Sequence, residues 1–250
     1  RRALLPRLAP CHTNYRSLKK IHYIWFGGNP LTPLAEKCIA SWKKYCPDYE
    51  IVRWDESNFD VSQNRYCQEA YDAKKWAFAS DYARLWVLVN DGGIYMDTDV
   101  EVLQPLDRFL ELQAFSGFEA EDRLPTGLMA SCSRHPFFEK LLHDYEDRSF
   151  LKPNGAFDLS TNVEAITKAC VDAGLMLNNT EQTVEGFTLF PSEFFCPKDW
   201  LTKDIHLTEN SYAIHHFDGS WVSGGTKLKH KLMRTLGPKG VKAVKMILRG

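Results

Sequence analysis

The sequence lacks a hydrophobic run long enough to span a bilayer, which needs about 20 consecutive apolar residues. The longest candidate, residues 85–89, is stopped by the Asn-Asp-Gly-Gly sequence that follows it. A Gly-x-x-x-x-Gly-Lys-Ser/Thr phosphate loop is also missing. The remaining composition, 44% hydrophobic and 25% charged, is that of a globular protein and excludes collagen, coiled coil and bulk disorder.

The cysteines are scattered along the chain. The seven cysteines are odd in number and contain no Cys-x-x-Cys pair. This pattern argues against a disulfide framework and against a zinc ribbon. We therefore expect reduced thiols and a cytoplasmic location.

A large excess of one charge is missing too, because the net charge is −1. Eight of the 31 Lys and Arg residues lie in residues 226–250, which contain no acid, so 23 cationic residues face 32 acidic ones elsewhere. This distribution argues against a nucleic-acid partner. We expect an N-terminal extension (1–20), one catalytic-type domain (21–222) and a basic amphipathic tail (223–250). The tail suits either an anionic membrane surface or docking on the acidic body.

Hydrophobic periodicity predicts alternating strands and helices. Residues 21–26 and 49–54 are typical of buried strands and 34–45 of a helix, so the chain opens as β-α-β. Residues 73–90 give the clearest helical pattern. Further strands are expected at 94–96, 100–103, 114–118, 128–132, 188–190 and 212–217, and helices at 136–145 and 162–173. This order favours an α/β fold with a parallel sheet.

An Asp-x-Asp motif follows the strand expected at 94–96. Asp97 and Asp99 offer hard oxygen ligands, which suit Mg²⁺ or Mn²⁺ and, through the metal, phosphate. Alone the motif is a weak signal, since acidic pairs are common in turns. Asp81 and Arg84 are three residues apart on an apolar helix and therefore share one face. They can form an ordinary ion pair or a clamp for phosphate and sugar oxygens.

The pattern from Asp81 to Asp99, with Arg84 and a Gly-Gly pair between them, resembles the signature of glycosyltransferase family 32. This family has a DXD sugar-binding region and includes initiating mannosyltransferases and bacterial capsule and lipopolysaccharide enzymes. It is related to the catalytic core of large clostridial glucosylating toxins. The resemblance extends over residues 21–221. It implies a GT-A fold, a single Rossmann-like domain whose mixed, mainly parallel sheet is flanked by helices.

The resemblance also implies roles for individual residues. Trp25 matches the Trp that stacks on the nucleotide base, although a core Trp at a strand end remains the alternative. Asp81 and Arg84 match the pair that contacts the donor sugar and phosphate. Asp97 matches the first DXD acid, near the ribose and metal, and Asp99 matches the direct metal ligand.

A second candidate cluster lies at residues 215–221. Neighbouring side chains of a strand point to opposite faces, so only one of His215 and His216 can face a site. By resemblance to the late metal-binding His of related retaining transferases, we expect His216 to be the third ligand, with His215 as the alternate. Ser220 and Trp221 resemble the family's closing motif over the diphosphate.

The sequence leaves two interpretations open for several nearby residues. Tyr95 either lines the nucleotide pocket or packs in the core. Glu119, Glu121 and Asp122 follow a strand and could reach an acceptor, although acidic loops are usually just solvated. No carboxylate stands out as a nucleophile. A front-face route, in which the leaving phosphate assists deprotonation of the acceptor, is therefore the more economical hypothesis.

These features predict a metal-dependent, retaining glycosyltransferase that uses Mn²⁺ or Mg²⁺. The donor is a nucleotide-sugar, with a UDP-sugar favoured over GDP-mannose. The acceptor is a glycan or lipid-linked oligosaccharide in cell-surface polysaccharide synthesis, which suits an enzyme held at the inner face of the membrane. Two alternatives remain: a nucleotidyltransferase or phosphohydrolase, and a catalytically silent carbohydrate- or nucleotide-binding protein of the same fold.

Overall fold

The computed structural model describes residues 18–124, 127–200 and 202–218. Over these residues the chain alternates strands and helices in the following order: β1 (Lys20–Ile24), α1 (Pro33–Tyr45), β2 (Glu50–Trp54), α2 (Arg65–Asp72), α3 (Trp76–Asn90), β3 (Gly93–Met96), β4 (Val100–Val102), β5 (Ala114–Gly117), β6 (Leu128–Ser131), α4 (Pro136–His143), α5 (Asn162–Asp172), β7 (Gln182–Val184), β8 (Phe187–Phe190), α6 (Ser192–Phe195) and β9 (Ala213–His215).

The central sheet is mixed and runs mainly in one direction. Seven strands lie in the order β2-β1-β3-β6-β5-β8-β7. Strands β2, β1, β3, β5 and β8 share one direction, and only β6 and β7 of these seven run against it. The expected α/β fold with a mixed, mainly parallel sheet is confirmed. A separate antiparallel pair, β4 with β9, joins the segment after β3 to the last described strand.

Each face of the sheet carries its own hydrophobic cluster, because successive strand residues point to opposite sides. In β3, Tyr95 packs into the cluster on the side of α2, α3, α4 and α5. Its neighbours Ile94 and Met96 pack into the other cluster, which includes Trp42 of α1 and residues of β4 and α6. Helix α3 is therefore apolar on most of its surface, since it packs on the sheet and on helices α2 and α4.

The turn between α3 and β3 depends on glycine. Gly92 has φ +71°, and a Cβ atom there would lie 2.7 Å from the backbone nitrogen of Ser133. A side chain at this position would be strained and would also collide with the backbone after β6. The Gly-Gly pair thus ends α3 and lets β3 begin at once.

Sequence patterns missed three short elements. Helix α2 buries only three side chains in a mostly polar segment, so its apolar signal is weak. Strand β7 and helix α6 are three and four residues long, too short for a periodic pattern. The expected strand 212–217 is shorter, since β9 ends at His215.

Two expectations are affected by the limits of the described chain. The tail 223–250 and most of the extension 1–20 lie outside the described residues. None of the helices described is long and apolar enough to cross a membrane.

Of the described cysteines, Cys132, directly after β6, is disulfide-bonded and the other five are free. The expectation of reduced thiols throughout is therefore wrong at Cys132, because an odd, scattered set of cysteines does not rule out a single bridge.

Candidate glycosyl-transfer site

Two neighbouring strands bring distant parts of the sequence to one edge of the sheet. Strands β1 and β3 are parallel, with His22 opposite Tyr95, so their carboxyl ends lie side by side. Trp25 follows β1 and Asp97 follows β3. Trp25 is half-buried against the hydrophobic cluster that includes Trp42 of α1. Its indole N–H donates to the carbonyl of Asn29 at 2.7 Å. The structure therefore places Trp25 at the same edge as the DXD motif.

Arg84 contacts both Asp81 on α3 and Asp97 after β3, the two acidic parts of the predicted pattern. Its Nη2 atom lies 3.3 Å from Oδ1 of Asp81 and 3.3 Å from Oδ1 of Asp97. The guanidinium also lies 4.6 Å from the ring centroid of Tyr95. The Tyr95 hydroxyl donates to Oδ1 of Asp97 at 2.6 Å. The structure thus brings Asp81, Arg84, Tyr95 and Asp97 into one cluster, and Tyr95 is both buried and part of it.

Burial sets the electrostatics of this cluster. It raises the pKa of the Asp81 carboxyl to about 6, and the charge of Arg84 only partly offsets it. Burial alone would lower the pKa of Arg84, but Asp97, Tyr95 and Asp81 together raise it. Arg84 therefore stays charged and keeps both carboxylates oriented.

Pairing of β4 with β9 positions the second acid of the motif. The backbone N–H of His216 donates to the carbonyl of Asp99 at 2.9 Å. Oδ1 of Asp99 lies 3.3 Å from Nε2 of His215, and Oδ2 accepts from the N–H of Asp218 at 2.9 Å. Burial favours the neutral carboxyl, but His215 and these hydrogen bonds outweigh it and hold the pKa of Asp99 well below its usual range.

The structure places His216, the expected third ligand, away from the DXD carboxylates. Its Nε2 atom lies 2.8 Å from Oε2 of Glu101, which Lys37 also contacts at 2.8 Å. His215, the alternate, is the residue beside Asp99. The reason is strand alternation: β9 can point only one of two adjacent side chains to the DXD motif. Strand alternation could be predicted from the sequence. The pairing register of β9 with β4, which decides which histidine faces the DXD motif, could not.

The side chains around the motif fit a divalent cation. Asp97, Asp99 and His215 each offer one ligand atom, and these atoms all lie within 4.8 Å of one another. Nδ1 of His215 is buried and has no hydrogen-bond partner among the described residues. Two carboxylates and one imidazole form a donor set that Mn²⁺ and Mg²⁺ accept, with the imidazole favouring Mn²⁺.

Gly127 leaves the space between these ligands open. A Cβ atom at this residue would lie 3.1 Å from Nδ1 of His215 and 3.3 Å from Oδ2 of Asp97. The carbonyl of Gly127 accepts from the N–H of Asp97 at 2.7 Å, so the two segments are in direct contact. Any larger residue would crowd both ligands.

The three acids that follow β5 differ in burial. Glu119 follows β5 and is buried enough to raise its pKa, with His215 and Arg123 opposing the shift. Glu121 and Asp122 are exposed, as solvated loop acids are. Ser220 and Trp221 lie outside the described residues.

Sequence reasoning missed a pair of hydrogen bonds that hold the backbone of Asp81 in place. The side-chain amide of Asn162 donates to the Asp81 carbonyl at 2.8 Å, and the Tyr145 hydroxyl donates to Oδ1 of Asn162 at 2.6 Å. Arg148 lies over the Tyr145 ring, 4.5 Å from its centroid. Asn162 is 2% exposed. In the sequence it marks only the start of a helix, so no local signal pointed to this contact.

A surface pocket of about 590 Å³ opens where β1 ends and α3 begins. It is lined by Gly27, Gly28, Asn29, Glu56, Tyr71, Lys74 and Trp76. Glu56 forms one wall, since it accepts from the N–H of Gly27 at 2.6 Å and from the Tyr71 hydroxyl at 2.9 Å. The aromatic rings of Tyr71 and Trp76 meet edge to face.

Residues 33–116 match the family described as glycosyltransferase sugar-binding region containing DXD motif. The match spans about a third of the chain. The match includes Asp81, Arg84, Asp97 and Asp99, and it leaves Trp25 and the segment of β9 outside. Within the match, the DXD motif lies directly after β3, at the carboxyl end of a strand in a mixed sheet.

Curated relatives include two yeast proteins named for mannosyl transfer to inositol phosphoceramides or synthesis of their mannosylated form. Inositol phosphoceramide mannosyltransferase 3 of Schizosaccharomyces pombe is 28% identical over 134 residues, which are 50% of this chain and 36% of the relative. Mannosyl phosphorylinositol ceramide synthase SUR1 of Saccharomyces cerevisiae is 30% identical over 38% of this chain and 26% of its own length. The chain thus spans about a third of the length of these relatives or less.

Solved structures with a similar chain path include two glycosyltransferases. The PaToxG glycosyltransferase has a TM-score of 0.47 at 19% identity and covers 64% of this chain and 74% of its own. The galactosyltransferase LgtC, in complex with donor and acceptor sugar analogues, has a TM-score of 0.44 at 13% identity and covers 87% of this chain and 94% of its own.

Proposed function

We propose that this protein transfers a hexosyl unit from a nucleotide-sugar to a glycan or lipid-linked acceptor, with retention at the anomeric carbon and with help from a divalent metal. One observation supports the proposal most strongly. The Asp81–Arg84–Asp97 cluster lies next to the ligand set of Asp97, Asp99 and His215, and Asp97 belongs to both. A clamp for donor oxygens and a metal site therefore share one residue.

The metal would be held by Asp97, Asp99 and His215. When bound, it supplies Lewis-acid stabilisation of the departing diphosphate. The chain's own contribution is to keep these three side chains aligned. Arg84 and the Tyr95 hydroxyl both bind Oδ1 of Asp97, which leaves Oδ2 for the ligand site beside Gly127.

Arg84 and Asp81 would act on the donor. Arg84 is a fixed positive charge beside Asp97, where diphosphate oxygens gain negative charge as the sugar leaves. Asp81 can accept a hydrogen bond from a sugar hydroxyl. Both side chains are nearly fully buried, so water competes little for them and their interactions strengthen.

The nucleotide would occupy the edge next to β1. Trp25 is our proposal for the ring that stacks on the base, and the adjoining pocket lined by Glu56, Tyr71 and Trp76 has room for ligand groups. Ser220 and Trp221 remain the proposed closing residues over the diphosphate. Glu119 is placed at the end of β5, on the same edge of the sheet, where an acceptor hydroxyl would enter.

The donor is a hexose on a nucleoside diphosphate. A UDP-sugar is the donor favoured from the sequence, whereas the names of the yeast relatives favour a mannosyl donor such as GDP-mannose. Their names also favour a lipid-borne acceptor over a free glycan. The side chains of Asp81, Arg84 and Asp97 suit sugar and phosphate oxygens, which these donors share.

Product analysis tests this function and separates the alternatives. The full chain is incubated with UDP-glucose, UDP-galactose, UDP-N-acetylglucosamine and GDP-mannose, each with Mn²⁺, in the presence and absence of a polar lipid extract. We expect release of UDP or GDP from one donor, and a glycosylated lipid by mass spectrometry, with Asp99→Asn inactive. Release of a nucleoside monophosphate would indicate nucleotidyl chemistry instead. No product from any donor would favour a silent binding protein.

A further inference from the structure

The segment between α4 and α5 presents unusual apolar exposure. Of eight large hydrophobic residues that are exposed in the described chain, three lie within residues 151–159: Leu151 (45%), Phe157 (39%) and Leu159 (59%). Every residue from 151 to 157 is exposed. The segment therefore projects from the body, and its apolar side chains are not covered by it. Clustered exposure of this kind marks interaction surfaces.

The projecting segment is a hairpin of defined shape. Leu151 pairs with Phe157 as an antiparallel bridge. The N–H of Lys152 donates to the carbonyl of Ala156 at 2.8 Å, and the N–H of Asp158 donates to the carbonyl of Phe150 at 2.7 Å. We name residues 150–159 the apolar hairpin. Its hydrogen bonds hold the exposed side chains in place.

Buried contacts anchor the apolar hairpin at its base. Phe150 is fully buried and stacks on Phe157 with ring centroids 5.0 Å apart. Arg148 donates to Oδ2 of Asp158 at 2.9 Å and to the Ser160 hydroxyl at 3.0 Å. The N–H of Leu151 donates to Oε2 of Glu69 at 2.8 Å. These contacts tie the base of the hairpin to the body of the protein.

Three exposed lysines lie on or beside the apolar hairpin. Lys152 lies on the hairpin, Lys75 has its Nζ 5.9 Å from the Phe157 ring centroid, and Lys74 adjoins Lys75. Two neighbouring acids are paired within the protein: Glu69 with Arg65 and the Leu151 N–H, and Asp158 with Arg148 and, at 3.7 Å, with Lys152, which stays half exposed. A projecting apolar tip flanked by lysines fits a surface with an anionic outer layer over an apolar interior.

We propose that the apolar hairpin docks on an anionic lipid surface, with Leu151, Phe157 and Leu159 entering the interface and Lys74, Lys75 and Lys152 facing the headgroups. A projecting tip suits a soft lipid layer, whereas a shaped protein partner would be met by a groove or a flat face. Apolar insertion and lysine–anionic lipid attraction act together in such contacts. This docking is independent of the transfer activity and of the basic tail.

A series of contacts links the base of the apolar hairpin to the candidate donor site. Arg148, at the base of the hairpin, lies over Tyr145, whose hydroxyl binds Asn162, and Asn162 binds the carbonyl of Asp81. Three contacts therefore connect the hairpin base to the candidate donor site.

Vesicle co-sedimentation of the full chain tests this proposal. Wild type is compared with Leu151→Ser/Leu159→Ser, which leaves the packed Phe157 intact, and with Lys75→Glu. Met176→Ser/Leu177→Ser is the matched control, because both residues are exposed apolar residues beyond the far end of α5. Vesicles consist of phosphatidylcholine with or without phosphatidylserine, and thermal unfolding verifies that each variant is folded.

We expect wild type and control to bind the phosphatidylserine vesicles equally. The hairpin double variant should partition at least about tenfold less, equivalent to about 1.4 kcal/mol, and Lys75→Glu should bind more weakly. The proposal is overturned if wild type does not bind, if the double variant binds like wild type, or if binding is the same without phosphatidylserine. A change in oligomeric state of the double variant without vesicles would also overturn it, in favour of self-association.

Discussion

Arg84 of α3 and Asp97 after β3 are joined by a contact of 3.3 Å between Nη2 and Oδ1. Because Arg84 also contacts Asp81 at 3.3 Å, one cation orients carboxylates from a helix and from a strand end. The packing of α3 on the sheet fixes this geometry. The donor clamp and the candidate metal site are therefore held in place by the same buried side chain.

Replacing Arg84 with lysine should impair catalysis more than folding. Lysine keeps the charge but cannot span Asp81, Asp97 and the Ser80 carbonyl that the guanidinium contacts. We expect turnover at saturating donor to fall by about 100- to 1,000-fold, the typical loss when a preorganised donor to developing charge is removed. Arg65→Lys on α2, where the side chain is 69% exposed, is the control. Turnover equal to wild type in Arg84→Lys would contradict the assigned role.

The two adjacent histidines should differ sharply in metal binding. His215→Ala removes a ligand from the set of Asp97, Asp99 and His215, so Mn²⁺ affinity should fall by more than the about 10- to 100-fold that loss of an outer partner costs. His216→Ala removes only the contact with Glu101 and should leave affinity nearly unchanged. Titration calorimetry with Mn²⁺ measures both. The opposite ranking would restore His216 as the ligand.

Two buried tyrosines offer a matched test of the support behind Asp81. Tyr145→Phe removes the hydroxyl that donates to Asn162, leaving a buried acceptor without its partner. We expect the free energy of unfolding to fall by about 1–3 kcal/mol, with a higher KM for the donor. The Tyr66 hydroxyl has no hydrogen-bond partner among the described residues, so Tyr66→Phe should cost nothing. Donor KM and urea unfolding measure the difference, and equal effects in the two variants would refute this support.

Buried His22 should make the fold less stable in mild acid. Its Nε2 donates to the Gly92 carbonyl at 2.9 Å, and its Nδ1 accepts from the Trp54 indole at 3.1 Å, so the ring is neutral. Burial lowers its pKa from 6.5 to about 4. Between these values the unfolded chain takes up a proton that the folded chain does not, so stability falls as pH falls. The loss between pH 7 and pH 4 is about 3 kcal/mol.

Urea unfolding across this pH range checks the role of His22. His22→Gln keeps one donor and one acceptor without a group that titrates here. We expect the pH dependence of the variant to be flatter than that of wild type between pH 6.5 and pH 4. Parallel curves for the two proteins would show that other groups carry the acid sensitivity.

Much of the fold and of the DXD cluster followed from local sequence. The apolar pattern of α3, the Gly-Gly stop and the short strand before Asp97 determine where Asp81, Arg84 and Asp97 stand, so their meeting was predictable. The orientation of β9 was not, because the choice between His215 and His216 depends on its register with β4. Asn162 was missed for a similar reason: its contact with Asp81 links residues far apart in the chain.

The most direct test of the proposed metal-bridged donor site is a thermal-shift measurement with UDP and GDP, each with and without Mn²⁺, on wild type and Asp99→Asn. At a hundredfold excess over its Kd, a bound nucleotide adds about 2.7 kcal/mol of apparent stability. We predict a rise in Tm with one nucleotide, only with Mn²⁺ and only in wild type. No rise with either nucleotide, or the same rise without Mn²⁺ or in Asp99→Asn, would contradict it.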